Sequence, residues 1–396
     1  MLTSGPFDWT SDSLHNLDER GLRRARRTIE PLSGGRCRLR NSADPEAILW
    51  NFAGNDYLGL AEDSRVLAAA QSALSESGTG SRASALVTGR TIWHERLESR
   101  LAEFKQCEAA LLFPTGYAAN VGTICGLVGN DDVVLCDRLN HASLVDGCRL
   151  SGATLRVYPH NDLTIVEREL RKAASARRRL IVTDSLFSMD GDAARLADLA
   201  CLAEEHNAML LVDEAHATGL FSERGTGLLE AAGVKLPHVL AVGTLSKALG
   251  GQGGFVTGPQ SVIDWLWNSA RTQMFSTALT PAACAGAVTA IDIIEQEPQR
   301  RRWVLEQSAQ LIAELRKQGW TIPENTCGPI IPLLIGEPGP TLELADQLQN
   351  QGCLTAAIRP PTVPHKTSRL RISLSWAHQE DGVNALRSAL KRCQGR

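Results

Sequence analysis

The stretch VLAVGTLSKALGGQGGFV, Val239 to Val256, opens with an apolar run and then carries one charged side chain, Lys247, among small and apolar neighbours. No other Asp, Glu, Lys or Arg stands between Leu236 and Ile263. An unpaired buried charge is costly, and a lysine in such surroundings tends to shed its proton. The neutral amine is a nucleophile that forms a Schiff base with a carbonyl. A loop lysine can instead lay its stem on apolar surface and reach water. The rest of the chain has to decide between the two.

The run is one of a series. AALLF (109–113), DVVLCD (132–137), LIVTDS (180–185), AMLLVDEAH (208–216) and VLAVGT (239–244) each end in polar or glycine-rich turns and precede helical stretches. Near-continuous apolar runs of this kind predict parallel strands covered on both faces. Right-handed crossovers make them a large, doubly wound α/β domain over 55–285. Ahead of it, ILWNFAGNDYLGL (48–60) reads as a strand and a turn, and 62–77 has helical composition that Gly78-Thr79-Gly80 stops. TIWHERLESRLAEF (91–104) spaces Trp93, Leu97, Leu101 and Phe104 for one helical face. Residues 1–54 are expected to form an arm that packs with a smaller α+β domain at 286–396. In that domain RLRISLS (369–375) alternates strictly and predicts a half-exposed antiparallel strand.

A chain of 396 residues exceeds one ordinary core. With 43% hydrophobic and 21% charged residues it has the composition of a soluble globular protein, and a net charge of −3 gives no reason to expect nucleic acid. Arginines crowd RGLRRARRTIEPLSGGRCRLR (20–40), read as the solvated face of a terminal helix. The 10 cysteines are scattered singly without a CxxC pair, which suits free thiols in a reducing compartment and offers no metal site. No run approaches the roughly 20 apolar residues of a membrane span, and the first residues lack the basic and apolar regions of a signal peptide. The expected location is the cytoplasm.

In open α/β sheets, ligands bind beyond the carboxyl ends of the strands. There the runs deliver Asp213 with His216, Thr244 with Ser246 and Lys247, Asp137 with His141, Asp184 with Ser185, and Thr115-Gly116-Tyr117 where a helix begins. A lysine, a strand-end carboxylate and a helix N-terminus with small residues suit pyridoxal phosphate (PLP). Lys247 would bond its aldehyde, and Asp213 would keep its pyridine nitrogen protonated. His216 would hydrogen-bond its phenolic oxygen, and His141 would lie flat against the ring. The amides of Gly116 and Tyr117 would meet the phosphate.

These residues sit in motifs that resemble the α-oxoamine synthases of the fold-type I PLP enzymes: NDYLGL (55–60), DRLNHASLVDG (137–147), FSMDGD (187–192), DEAHATG (213–219) and TLSKALGGQGG (244–254). The resemblance runs from about Leu17 to the C-terminal helix. AIRPPTVP (357–364) is more discriminating and resembles the branch of biotin synthesis. The resemblance implies a homodimer that condenses L-alanine with a pimeloyl thioester on CoA or acyl carrier protein. It implies that Lys247 is also the general base, and that Ser185 and Thr244 lie near the ring oxygen and the phosphate. Asn55 would lie near the substrate, and Arg359 would receive the amino acid's carboxylate, with Pro360 and Pro361 stiffening its backbone. Arg27 matches an arginine at the far end of the acyl chain. Ser276 and Thr277 match residues that reach the phosphate of the partner subunit.

Three positions depart from the pattern: Arg82 where glycine is frequent, Arg195 near a usual proline, and Thr280 where a second proline is common. None is a group that does chemistry. The nearest rival is the same chemistry on glycine, against which AIRPPTVP argues. A dinucleotide-binding reading of GTGSRASALVTG (78–89) lacks a clear preceding strand and a suitably placed acidic residue. A non-catalytic subunit on the same fold would be expected to have lost Lys247.

Overall fold

A computed structural model of the chain describes residues 5–235 and 237–394. They divide into two compact units, one built from Asn55–Glu306 and the other from residues up to Gly54 together with those from Gln307 onward. The strands in chain order are β1 (Ile29–Leu32), β2 (Arg36–Leu39), β3 (Ile48–Asn51), β4 (Ala109–Phe113), β5 (Val133–Asp137), β6 (Thr154–Tyr158), β7 (Arg179–Asp184), β8 (Met209–Asp213), β9 (Val239–Thr244), β10 (Gly254–Gly258), β11 (Ile330–Gly336), β12 (Cys353–Leu354), β13 (Ala356–Ile358) and β14 (Ser368–Ser373).

The larger unit is built on a sheet of order β4-β10-β9-β8-β7-β5-β6, in which only β10 runs against the rest. Its two faces carry separate cores, and alternate residues of one strand serve each. Val134, Cys136, Leu180, Val182 and Leu211 pack on one face. Val133, Leu135, Ile181, Leu210 and Val212 pack on the other, with the helices Leu163–Lys172 and Leu196–Glu205. That double burial is why the runs lack polar alternation. All five expected strands of this sheet are present, and β6 and β10 join them.

The sequence-based domain boundary at 285 falls inside the helix Pro281–Gln296, whose buried face includes Cys284, Ala287, Ile291 and Ile294. Cutting there would expose one continuous apolar stripe. The GTGSRASALVTG stretch forms a bend and a single π-turn at Ala85–Gly89, and does not join a strand to a helix as a dinucleotide loop must.

The smaller unit holds a sheet of order β1-β2-β3-β12 and another of order β11-β14-β13. Two expectations fail here. β14 is buried along its whole length, with Arg369 and Arg371 at 4% and 5% exposure. It is the central strand of its sheet, paired on both edges by β11 and β13, and residues on both of its faces are buried, so alternation in its sequence does not mean a wet face. The arginine-rich stretch is likewise no helix: the terminal helix ends at Glu19, and Arg36, Arg38 and Arg40 belong to the β1–β2 hairpin and its exit. Glu30 and Glu46 pair with Arg38 and Arg40 there.

One buried ion pair ties the larger unit together behind the strand ends. Lys105, the last residue of the helix Ile92–Lys105, places Nζ 2.8 Å from Glu214 Oε2 and 2.8 Å from the Thr218 hydroxyl. Their side chains are 4% and 2% exposed. Glu214 Oε1 accepts the Leu229 amide at 2.8 Å. A Cβ on Gly227 (φ 139°) would lie 2.4 Å from that oxygen, so glycine is required at the contact. Removing one partner of such a pair strands the other charge in the interior. Lys105→Met should therefore destabilise the protein by about 3–5 kcal/mol, read as a lower urea midpoint at unchanged slope.

Candidate active site

The ends of β7, β8 and β9 and the start of the helix Gly116–Leu127 bring most of the expected residues into one hydrogen-bonded group. Asp213 closes β8 and is 5% exposed. Its Oδ1 accepts the Ala215 amide at 2.8 Å and its Oδ2 accepts the side-chain amide of Asn120 at 2.6 Å. Each oxygen keeps a lone pair for a further donor. Asn120 was not singled out in the sequence; it lies on the helix, 1% exposed, and its amide also donates to the Ser143 hydroxyl at 2.8 Å. Its only sequence signal is an amide in an apolar helix one turn after Gly116.

Ser143 in turn contacts His141 Nδ1 at 2.7 Å, and the Ser143 amide donates to the same nitrogen at 3.3 Å. His141 thus caps the helix Ala142–Leu150 with its ring set in a recess yet open to solvent. Burial holds this imidazole below its ordinary pKa, opposed by the Asp213 charge and assisted by Lys247. The His141 backbone amide donates to Asp184 Oδ2 at 2.6 Å. Asp184 stands directly opposite Asp213 in the β7–β8 register. Burial, and then the Asp213 charge, push the Asp184 carboxyl well above the usual carboxylate range.

Lys247 is half-buried in the turn after β9, with Nζ 2.8 Å from His216 Nε2. His216 Nδ1 lies 2.7 Å from the Tyr57 hydroxyl, which donates to Asn55 Oδ1 at 3.2 Å. Tyr57 is the second residue that sequence reasoning passed over, although it sits two places after Asn55 in a motif already marked. Thr244 closes β9 and donates its hydroxyl hydrogen to Gly253 O at 2.8 Å. Ser185 is fully buried and turns its hydroxyl onto Asp213 O at 2.9 Å.

At the helix start, Thr115 accepts the Ala118 amide at 3.0 Å, and the Gly116 and Tyr117 amides belong to the first turn, which has no intrahelical acceptors. A Cβ on Gly254 would lie 2.4 Å from Thr115 O, so the strand beside this turn must be glycine there. The Tyr117 ring is half exposed, with its hydroxyl donating to Asp146 at 2.8 Å. Ser276 and Thr277 stand apart from the Lys247 group: Thr277 bridges to Ser84, and both line a small recess with His94 and Gln273.

Arg359 and Arg27 belong to the smaller unit. Arg359 is 9% exposed and donates to Gly21 O, while its Nε has no hydrogen-bond partner. Burial, and then the charges of Arg24 and Arg27, lower its pKa. Arg27 is exposed, and Arg24 donates to the Thr362 hydroxyl at 3.1 Å.

The residues match models of known proteins across nearly the whole chain. The aminotransferase class I and II family model covers residues 47–390. The 8-amino-7-oxononanoate synthase of Anaeromyxobacter dehalogenans strain 2CP-1 is 46% identical over 98% of this chain and 96% of its own. The 8-amino-7-oxononanoate synthase 2 of Bacillus subtilis strain 168 is 42% identical over 96% and 95%. The chain belongs to the 8-amino-7-oxononanoate synthase family. Among solved structures, a serine palmitoyltransferase from S. paucimobilis with PLP bound shares the fold at a TM-score of 0.91 and 27% identity, over 98% of this chain and 96% of that one. The protein is a PLP-dependent acyltransferase of fold type I. The donor set suits the cofactor: a lysine amine, a strand-end carboxylate with lone pairs to spare, an open imidazole face and first-turn amides.

A second cluster fixes the loops beneath the site. His160 Nδ1 lies 3.1 Å from Asp137 Oδ1, and Nε2 lies 2.7 Å from Asp192 Oδ2. Burial opposes the charge on this imidazole, but the hydrogen bonds to the two carboxylates outweigh it and raise the pKa to about 10. The unfolded value is about 6.5. Native His160 therefore holds its proton where the unfolded chain has lost it, and its stabilising contribution is complete below pH about 6.5 and lost as pH rises to about 10. Unfolding free energies of wild type and His160→Gln should converge across that interval.

Proposed function

We propose that this chain condenses L-alanine with a pimeloyl thioester, carried on CoA or acyl carrier protein, to give 8-amino-7-oxononanoate, carbon dioxide and the free thiol, acting as a cytoplasmic homodimer. The observation that carries the reading is the Lys247 amine lying 2.8 Å from His216 Nε2 at the sheet edge where Asp213 also ends. When bound, PLP supplies an aldehyde for an amine and a protonated ring that draws electrons from the substrate's α-carbon.

Lys247 Nζ removes the α-hydrogen of alanine and returns a proton to the product. Asp213, held in place by Asn120 and the Ala215 amide, would accept the N–H of the cofactor's pyridine ring. His141 would give a flat surface for the ring, and His216 and Ser185 would lie toward its oxygen. Gly116, Tyr117 and Thr244 would hold the phosphate, and Ser276 and Thr277 would reach the phosphate of the partner subunit. Asn55 lies by the substrate. Arg359, buried and with an open Nε, takes the alanine carboxylate, and Arg27 takes the far end of the acyl chain.

Lys247→Ala should abolish turnover and the absorbance beyond about 400 nm that an imine of PLP gives, while folding survives. Retained activity in that variant would make the lysine structural. For Arg359, a charge-assisted bidentate pair is worth on the order of 1.5–3 kcal/mol. Arg359→Ala should raise the KM for alanine roughly ten- to a hundredfold, and Arg359→Lys should recover only part, because a point charge cannot reproduce the fork. The thioester's KM should move much less. Parallel titrations with alanine and glycine separate this reading from its glycine-using relatives.

A further inference from the structure

Asp213, Asn120, Ser143 and His141 form a chain of hydrogen bonds with a single direction. A carboxylate oxygen only accepts, so at its 2.6 Å contact with Asp213 Oδ2 the Asn120 amide presents its nitrogen. That nitrogen gives its second hydrogen to Ser143 Oγ at 2.8 Å. Asn120 Oδ1 has no partner among the described residues, so the nitrogen side alone orients the amide. Ser143 is fully buried, and the acceptor left for its hydroxyl hydrogen among the described residues is His141 Nδ1, 2.7 Å away. The Ser143 backbone amide donates to the same nitrogen at 3.3 Å. Nδ1 is therefore the bare nitrogen of the imidazole, and a neutral ring carries its hydrogen on Nε2.

We propose that Asn120 and Ser143 are positioning residues for His141: they keep its imidazole neutral, with the hydrogen on Nε2, so that an uncharged ring meets the face of the protonated cofactor. This rests on the reading of Asp213 and His141 as the residues at the cofactor's nitrogen and ring face. Protonating Nδ1 would aim its new hydrogen at the Ser143 amide and hydroxyl. The hydroxyl would then accept from both Nδ1 and Asn120, and its own hydrogen would lose its acceptor in a place without solvent. A buried donor left unpaired bears its full desolvation penalty. An imidazolium against the protonated pyridine would also set two like charges together and oppose the protonation that Asp213 promotes. Asp213 thus favours charge on the cofactor ring directly and, through Asn120 and Ser143, keeps the neighbouring ring uncharged.

The charged groups around His141 pull both ways. Burial disfavours the imidazolium, Asp213 at the end of β8 favours it, Lys247 in the turn after β9 opposes it, and Asp146 on the same helix favours it. Asp146 also accepts the Tyr117 hydroxyl at 2.8 Å. Asp184 at the end of β7 accepts the His141 backbone amide and is itself pushed toward its neutral form. The two donors to Nδ1 act in the same sense as burial, because they bond to the neutral form of the ring. Ser143→Ala leaves every one of these charges in place and removes one donor, so the imidazole should take up its proton at higher pH. Asn120→Ala frees the Ser143 hydroxyl to accept from Nδ1–H and takes a donor from Asp213, and both changes act in that direction.

The test is nitrogen NMR of the full-length chain freed of PLP, with its 9 histidines isotope-labelled, since the ring nitrogens report both tautomer and charge. The His141 signal is identified by its loss in His141→Gln. In the wild type it should show the hydrogen on Nε2 above its titration. Ser143→Ala should raise the titration midpoint by about half to one pH unit, the effect of one lost hydrogen bond. Asn120→Ala should raise it too, and Ser143→Thr, which keeps the hydroxyl, should hold it near the wild-type value. A hydrogen on Nδ1 in the neutral wild-type ring, or a midpoint that stays or falls in Ser143→Ala, overturns the proposal. If that variant does not fold, a midpoint that stays or falls in Asn120→Ala overturns it. PLP binding checks the underlying reading separately. The ratio of PLP dissociation constants, Ser143→Ala over wild type, should rise by up to about three- to tenfold as pH falls through the variant's midpoint. A ratio that stays flat although the midpoint has moved refutes the reading of His141 as the neighbour of the cofactor ring.

Discussion

Two carboxyl groups standing side by side constrain the site. The parallel pairing of β7 with β8 sets Asp184 opposite Asp213, both at most 5% exposed. Two like charges at adjacent strand ends in a poorly solvated place cannot both be held without compensation. The fold resolves this unequally. Asp184 is pushed toward its neutral form and accepts the His141 amide. Asp213 is supplied with two N–H donors, from Asn120 and from Ala215. The Asn120 amide joins Asp213 to Ser143, and Ser143 joins the set to His141. One helix residue thus links Asp213 to Ser143 and, through it, to His141.

The parts legible in the sequence were those in which each residue answers to its own strand. Runs buried on both faces announce themselves, because no position on them is tolerant of charge. Strand-end residues were legible for the related reason that topology, not local conformation, puts them at one edge. β6 and β10 were missed: Thr154–Tyr158 lies at the sheet edge and carries an arginine, and Gly254–Gly258 starts and ends in glycine. The burial of β14 was hidden by two arginines, whose long stems take up apolar surface in a strand paired on both sides. Asn120, Tyr57 and His160 show themselves only by the residues they touch, and pattern reading has no handle on such contacts until the partners are in space.

The departures from the family pattern are absorbed locally. Arg82, read from the sequence as such a departure, has φ 65°, the left-handed region in which a side chain is strained and glycine is not. Its guanidinium donates to Ser77 O at 2.9 Å, which offsets part of that strain. Thr280 caps the helix Pro281–Gln296 by accepting the Ala283 amide. Arg195 precedes the helix Leu196–Glu205 and pairs with Asp198 in its first turn. Each substitution is accommodated by hydrogen bonds beside it, away from the Lys247 group.

The turn that bears Lys247 is held more tightly than its glycine content suggests. Leu245 donates to Gly253 O at 3.0 Å, Gly251 to Leu245 O at 2.7 Å and Gly250 to Lys247 O at 2.9 Å, so the turn is stitched from both ends. Gly250 has φ 68°, and a Cβ there would lie 2.3 Å from the Ala61 amide nitrogen. These glycines allow close packing and do not loosen the loop. The absence of other charges near Lys247 in sequence then has a spatial meaning. An acidic side chain within the turn would compete for Nζ, whereas His216, which meets it at 2.8 Å, and Asp184, which feels its charge, arrive from other strand ends on fixed backbone. The amine is set by distant segments whose geometry the sheet enforces, and the turn itself contributes only the lysine and the room for it.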